Sequence, residues 1–324
     1  MRLDEGLRAL RVDDRPQRDA QGALYRALGV WRAQPEIRAL DAQLAGFAGG
    51  GPLEDYPLLA ACFEAGDAAA TLVDRFVRAT VAALGVAPLG QVPLRHFTDG
   101  THSTLLLARS GATTLALAAV DGAGFARRRA AESVSFPPNR SWEHVLGGAA
   151  RAELIERPGA GAPPTRLERR ALALGAGSVL GRDSSRQALL LRSVEGRLVT
   201  LRLQRRFPGS EVCREYRLSD GALVHQAAGS ARDSRLELAA ATLARMGRAE
   251  AAPMLAAMAQ EQGSAGLRWQ VLRECLALDS EVGFRALAAI AADAGDELAA
   301  PAGALRAQLI ERHPVLGELA PCPA

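Results

Sequence analysis

The sequence predicts an α+β protein with a helical N-terminal region, an antiparallel β sandwich or barrel in the middle, and a helical C-terminal region. In both flanks apolar residues recur at spacings of three and four, which is typical of amphipathic helices. Between the flanks, short apolar runs are separated by glycine-containing turns, which is typical of antiparallel strands. We place the three regions at residues 1–90, 91–230 and 231–324.

The N-terminal region shows the helical spacing over residues 16–85. The Gly-Gly-Gly-Pro stretch at 49–52 breaks the pattern into two helical pairs, because glycine and proline end helices. The positions predicted to face a core are Leu24, Leu28, Trp31, Leu72, Val73, Phe76, Val77, Val81 and Leu84.

The middle region contains four dipeptides that predict hairpin turns. They are Asp99-Gly100, Ser110-Gly111, Glu195-Gly196 and Asp220-Gly221. An Asp-Gly pair between apolar runs is the strongest short hairpin signal, since both central residues of the turn need a positive φ. Longer loops are expected at 121–129 and 158–164, where glycine, proline or arginine cluster.

The C-terminal region carries an internal repeat. Residues 235–244 are echoed about 33 residues later by 268–277, and the segment 255–259 is echoed by 287–291. Ser234 is expected to cap the first helix, with Glu237 completing a capping box. Helix pairs at this period are typical of helical solenoids, and the region resembles HEAT repeats over about two units.

The chain contains no lysine, so all 39 basic residues are arginine. This excludes P-loop NTPases, protein kinases and enzymes that form a Schiff base through their own lysine, because each class needs a lysine amine at its site.

The positive charge is concentrated in the middle region, which has 20 arginines against 12 acidic residues, whereas both flanks are slightly acidic. The excess indicates either an anionic ligand or pairing within the protein. Nucleic-acid binding is disfavoured, because few aromatic residues accompany the arginines.

The four cysteines are widely spaced and form neither a disulfide framework nor a zinc motif, so we expect a reducing compartment. The first residues are charged and have no apolar core, so a secretory signal is not expected. With no long apolar run, we expect a cytoplasmic protein that does not bind a membrane.

Two stretches of the middle region resemble cupins. Residues 142–154, with His144 before Gly147, are similar to the histidine-bearing cupin strand, and residues 174–179 followed by 189–203 are similar to the second half of that fold. The resemblance covers about residues 92–226. It implies a metal held by histidines and a glutamate, but 184–187, where a later histidine is expected, contains none.

If the protein is an enzyme of this kind, the candidate ligands for iron, manganese or another divalent metal are His102, His144 and His225, with Glu143 or Glu153 as carboxylate. The Asp220-Gly221 hairpin would pair Tyr216 with His225 on the apolar face, making these the candidate catalytic residues. A histidine on an apolar face is more often a hydrogen-bonded core residue. In the Asp99-Gly100 hairpin, Phe97 would face His102.

The arginines give a different candidate site. Arg186, Arg192 and Arg197 lie in or beside the predicted Glu195-Gly196 hairpin, whose register puts Arg192 and Arg197 on one face. Guanidinium groups suit carboxylate or phosphate ligands because they offer paired donors.

Two functions follow. The first is a non-catalytic interaction, regulatory or assembly protein without a cofactor, which binds a protein partner, or a second copy of itself, through its helices and a small anionic ligand through the β region. The alternative is a cupin-type metal-dependent oxygenase or isomerase.

Overall fold

The structure is a computed structural model that describes residues 8, 10–157, 167–207 and 212–319. It has mixed helices and antiparallel sheet and divides into two compact units. The first contains the N-terminal helices and a seven-stranded sheet, and the second contains a three-stranded sheet and the C-terminal helices. The predicted loop at 158–164 lies outside the described residues.

The N-terminal helices are α1 (Arg15–Arg32), α2 (Pro35–Ala48), α3 (Pro57–Ala61) and α4 (Ala68–Val86). Three of them carry proline in the first turn, where its missing N–H and fixed φ suit a helix start. Six of the nine predicted core positions are buried, whereas Val77 and Val81 of α4 are exposed. The predicted helical periodicity is confirmed, but fewer positions are buried than the apolar spacing predicted.

The large sheet has the order β1-β2-β3-β8-β5-β6, and β7 also pairs with β5. Its strands are β1 (His96–Thr98), β2 (His102–Ser110), β3 (Thr113–Asp121), β5 (Asn139–Glu156), β6 (Glu168–Leu174), β7 (Val179–Asp183) and β8 (Gln187–Arg206). The predicted loop at 121–129 contains a short helix, α5 (Gly122–Ala126), which Asp121 caps by accepting from the Gly124 N–H at 2.8 Å.

The long strands β5 and β8 pair along their whole length, with register shifts around Gly147 and Ala149. Such bulges bend a sheet. Gly148 has a φ of +84°, and a Cβ there would lie 2.1 Å from the Arg197 carbonyl oxygen. Only glycine therefore allows β5 and β8 to approach so closely at the bend.

The two faces of this sheet bury different residues. One face packs against the N-terminal helices through Leu107, Leu115 and Leu203, and Phe47 of α2 meets Trp142 of β5 edge to face at 5.5 Å. The opposite face carries a separate apolar cluster that includes Val145, Leu174 and Leu198. Alternation along β5 therefore sends Trp142 to the helices and Glu143 to the other face.

The predicted hairpins had mixed outcomes. The turn after Ser110 is confirmed, since β2 and β3 pair with Ser110 opposite Thr113. The turn at Asp99-Gly100 also exists, but Phe97 faces Thr104 instead of His102. The Glu195-Gly196 hairpin was wrong, because β8 runs straight through both residues and pairs with β5 on either side of them.

The second unit holds the sheet order β10-β9-β4 and five helices. Its elements are the second half of β4 (Ser133–Phe136), β9 (Val212–Arg217), β10 (Leu223–Ala228), α6 (Ala231–Arg245), α7 (Ala252–Gln260), α8 (Ala265–Leu278), α9 (Ser280–Ala292) and α10 (Ala299–Arg312).

The repeat positions Leu255 and Leu287 are both buried in the helical core of this unit. The first helix begins earlier than predicted, because Ser230 and not Ser234 is its cap, accepting from the Asp233 N–H at 3.0 Å. Across the described part of the chain, no helix combines the length and apolar character that a membrane span requires.

Candidate functional site: an arginine-lined cavity

A cavity of about 720 Å³ opens on the face of the large sheet opposite the N-terminal helices. Its floor comes from β3, β5, β7 and β8, and one side is formed by α5 and the loop that follows it. The volume lies within the range of small-molecule sites. Apolar side chains, chiefly those of leucine, alanine and valine, belong to just over half of the lining residues, and two groups of polar residues lie among them.

The first polar group is an ion cluster around Glu143, which is 5% exposed. Strand pairing creates it: Glu143 on β5 lies opposite Arg202 on β8, and Arg182 comes from β7 on the other side of β5. The Glu143 Oε1 atom is 2.8 Å from Arg182 Nη2 and 3.1 Å from Arg202 Nε.

The arginines hold Glu143 ionised. Burial alone would raise the pKa of its carboxyl, but the charges of Arg202 and Arg182 and their hydrogen bonds outweigh that effect and lower the pKa below its usual value. A carboxylate of this kind is a poor proton donor or acceptor near neutral pH.

Arg182 retains donor capacity that the described residues do not use. Its side chain is 10% exposed, and its Nε and Nη1 are buried without a hydrogen-bond partner among those residues. A buried donor left unsatisfied costs about 1–3 kcal/mol. An acceptor supplied from the cavity would therefore stabilise this side chain.

The second polar group is at the rim, where Arg128, His102 and Asp99 meet. Arg128 Nη1 lies 3.1 Å from Asp99 Oδ2 and 2.7 Å from His102 Nδ1. Because arginine only donates, this contact fits the His102 tautomer whose Nδ1 accepts and whose ring proton is on Nε2. Backbone N–H groups of His102 and Thr101 lower the pKa of Asp99 to about 2, so its charge persists.

The cavity wall is strongly positive. Among the described residues it carries five guanidinium groups and one carboxylate, that of Glu143. Two further carboxylates pair with the lining arginines: Asp99 with Arg128, and Glu153 with Arg192 at 2.7 Å. Two positive charges remain in excess. The lining arginines are Arg128, Arg129, Arg182, Arg192 and Arg202.

Of the three arginines predicted to bind an anion, only Arg192 lines the cavity. Arg186 is exposed, and Arg197 lies 3.6 Å from Asp121 with its side chain 68% exposed. The shared face predicted for Arg192 and Arg197 depended on the Glu195-Gly196 hairpin, which does not form.

The predicted metal ligands are not brought together. His102 lines the cavity, but His144 is on the helix face of β5, where its Nδ1 is 3.0 Å from the Cys62 carbonyl oxygen. Adjacent strand residues point to opposite faces, so Glu143 and His144 cannot share a metal. The described residues contain no cluster of three potential ligands. Glu143 and Glu153 already neutralise arginines, so this donor set does not fit a divalent cation.

His225 and Tyr216, the predicted catalytic pair, belong to the second unit. A register shift in β10 places His225 opposite Glu215 and leaves Leu223 opposite Tyr216. His225 is exposed, so the prediction that it faces inward was wrong. Tyr216 is buried and packs edge to face on Phe136 at 5.7 Å. Neither residue lines the cavity.

Sequence reasoning missed Arg182 and Arg202 as partners of Glu143, and Arg128 and Arg129 in the loop after α5. For Arg128 and Arg129, only the charge excess of the middle region indicated a site. Their meeting depends on which strands are neighbours, and β7 pairing with β5 has no local signature.

No family model and no curated protein matches the chain. Solved structures that resemble parts of it include a deletion mutant of Bacillus subtilis oxalate decarboxylase, at 14% identity over 35% of this chain and 28% of that chain, with a TM-score of 0.26. A cupin superfamily protein from Desulfitobacterium hafniense matches at 14% identity over 34% of this chain and 83% of that one, with a TM-score of 0.23.

HutD from Pseudomonas fluorescens matches at 16% identity over 37% of this chain and 60% of that one, with a TM-score of 0.24. The Desulfitobacterium hafniense protein is named as a cupin superfamily protein. This chain spans little more than a quarter of the oxalate decarboxylase. With TM-scores this low, we take no function from the likeness.

Proposed function

We propose that this protein binds a small organic anion in the arginine-lined cavity and acts as a non-catalytic, regulatory binding protein. The observation that carries the proposal is the charge of the wall, where five arginines and one glutamate surround a largely apolar space. Guanidinium groups bind a carboxylate through paired, charge-assisted hydrogen bonds, and around the nearly buried Arg182 the surroundings screen charge less than water does.

Binding is favoured over catalysis by the state of the titratable groups. Glu143 is neutralised by two arginines, and His102 Nδ1 is occupied by Arg128. These contacts suit the recognition of a ligand, and the lowered pKa of Glu143 makes its carboxylate a poor general acid or base near neutral pH.

The test compares two ligands with the same chain and different head groups. Octanoate and octan-1-ol are titrated calorimetrically into the wild type, Arg202→Ala and Arg197→Ala. Arg197 is the matched control, since it lies on the same strand but outside the cavity. We expect octanoate to bind more tightly than the alcohol and to lose about tenfold in affinity in Arg202→Ala only. Equal binding of both ligands, or equal losses in both variants, would contradict the proposal.

We also propose that the C-terminal helices bind a protein partner, as expected for HEAT-like repeats. An open groove of about 670 Å³ in the second unit supports this. Arg273 and His313 also line the groove, and the positive charge of Arg273 favours an acidic amphipathic helix as the bound element. The apolar wall consists of Trp269, Leu276, Leu305, Leu309, Val315 and Leu316.

Trp269 supplies the readout for this second function. Adding an acidic amphipathic helical peptide should change its fluorescence in a saturable way, and Leu309→Asp should abolish the change. A basic peptide of the same apolar pattern serves as the control. If it binds as well as the acidic peptide, the charge complementarity is wrong, and if neither binds, the groove is not a partner site.

A further inference from the structure

We propose that the ligand of the arginine-lined cavity is a dianion with an apolar spacer, an α,ω-dicarboxylate. This proposal rests on the proposed function and adds the charge and the length of the ligand. It depends on the charge excess of the wall and on the separation of its two polar groups by an apolar strip.

The excess of two positive charges matches a dianion. Three of the five lining arginines can be assigned one carboxylate each, namely Glu143, Glu153 and Asp99. Arg202 shares Glu143 with Arg182, so that pair keeps one positive charge, and Arg129 has no ion-pair partner among the described residues. A monoanion would leave one of these charges uncompensated.

The two polar groups of the cavity, around Glu143 and around His102, lie at different places on the sheet. Strand pairing places Ala116, Arg202 and Glu143 in one row across the sheet, whereas His102, Val120 and Leu198 form another row. Arg202 and Leu198 are four residues apart on β8, about 13 Å along the strand, and His102 is two strands from Leu198, about 10 Å across. The backbone positions of Arg202 and His102 are thus roughly 16 Å apart.

The wall between the two places is mostly apolar. Ala118, Val120 and Leu198 all line the cavity there, and Thr200 is the polar exception. Covering this strip with methylene groups removes apolar surface from water, which favours binding. A compact anion such as phosphate or oxalate would reach one cationic group and leave the strip wet.

The rim offers the distal carboxylate a defined set of donors. Arg129 lines the cavity in the loop after α5, and His102 has its Nε2–H available because Nδ1 accepts from Arg128. The proximal carboxylate would meet Arg202 and Arg182. Each end of the ligand is therefore recognised by at least one charged donor.

The experiment is a cycle of ligands and variants, measured by calorimetry on the full chain. The probes are octanedioate, octanoate, which lacks the second carboxylate, and oxalate, which has both charges without a spacer. The variants are Arg129→Ala and, as the matched control, Arg127→Ala, an exposed arginine of the same loop that does not line the cavity.

We expect octanedioate to bind about tenfold more tightly than octanoate, since a hydrogen bond to a charged group contributes on that scale. This advantage should disappear in Arg129→Ala and persist in Arg127→Ala, and oxalate should bind weakly. If octanoate or oxalate binds as tightly as octanedioate, the proposal of a dicarboxylate with an apolar spacer is wrong, while the proposal that the cavity binds an anion still holds. If none of the three binds, the proposed function is also wrong.

Discussion

Replacing Glu143 with glutamine should destabilise the first unit far more than replacing an exposed glutamate. The Glu143 carboxylate contacts Arg182, which is nearly buried, and Arg202, whose side chain is 36% exposed. Removing one partner of a buried ion pair costs about 3–5 kcal/mol. The contact with Arg202 adds little, because solvent screens a group exposed to that extent. Since glutamine still offers an oxygen, we expect a loss of about 3 kcal/mol.

The assay must isolate the first unit, because a chain with two compact units need not unfold in one step. Trp31 and Trp142 belong to the first unit and Trp269 to the second. In a Trp269→Phe background, tryptophan fluorescence during urea unfolding reports the first unit alone. Glu195→Gln is the control, because Glu195 is exposed and does not line the cavity.

The effect should also depend on pH. Because the folded-state pKa of Glu143 is lowered, its stabilising contribution is fully present above the pKa of the unfolded chain, about 4.3, and is lost as the pH falls through the folded-state pKa. The difference between wild type and Glu143→Gln should therefore shrink in acid. A difference below about 1 kcal/mol at pH 7, or one that is unchanged in acid, would refute the ion cluster.

Three further predictions concern the rest of the chain. In urea unfolding, Gly148→Ala should destabilise the first unit by at least about 2 kcal/mol more than Gly196→Ala. Both glycines have a positive φ, but only a Cβ at Gly148 would clash with backbone atoms, so equal losses would contradict the close approach of β5 and β8 at the bend. Burial raises the pKa of the Cys62 thiol to about 11, so this thiol should react slowly with an alkylating reagent at pH 8. Mass spectrometry should therefore find Cys213 labelled well before Cys62. The reverse order would show that Cys62 is accessible. Arg268→Ala should lower the free energy of unfolding of the second unit by about 3–5 kcal/mol, measured by Trp269 fluorescence in urea. Arg268 is buried, pairs with Asp296 through two nitrogens and donates to the Ala259 carbonyl oxygen at 2.9 Å. Arg273→Ala, at an exposed arginine, is the control, and similar losses in both variants would refute the role of the ion pair.

The α+β class and the helical character of both flanks followed from the sequence, because apolar periodicity is a local property. Leu24, Leu28 and Trp31 recur at helical spacing and are all buried in the structure. The turn after Ser110 was also readable, since Gly111 supplies a positive φ between two apolar runs.

The site was less accessible to such reasoning. Glu195-Gly196 has the composition of a hairpin turn, but it lies inside β8, where the bulged pairing with β5 tolerates a positive φ at Gly196. The error moved Arg197 into the predicted site and kept Arg202 out of it. Arg182 and Glu143 meet only because β7 pairs with β5, a contact between residues 39 positions apart that no local pattern encodes.

The most direct test of the central claim, that the cavity holds an organic anion, is a crystal structure of the protein with octanoate brominated at its far end. We predict an anomalous bromine peak inside the cavity near Leu198, with the carboxylate against Arg202. If the ligand is bound elsewhere on the chain, or if the cavity contains no ligand density at a saturating ligand concentration, the account is contradicted.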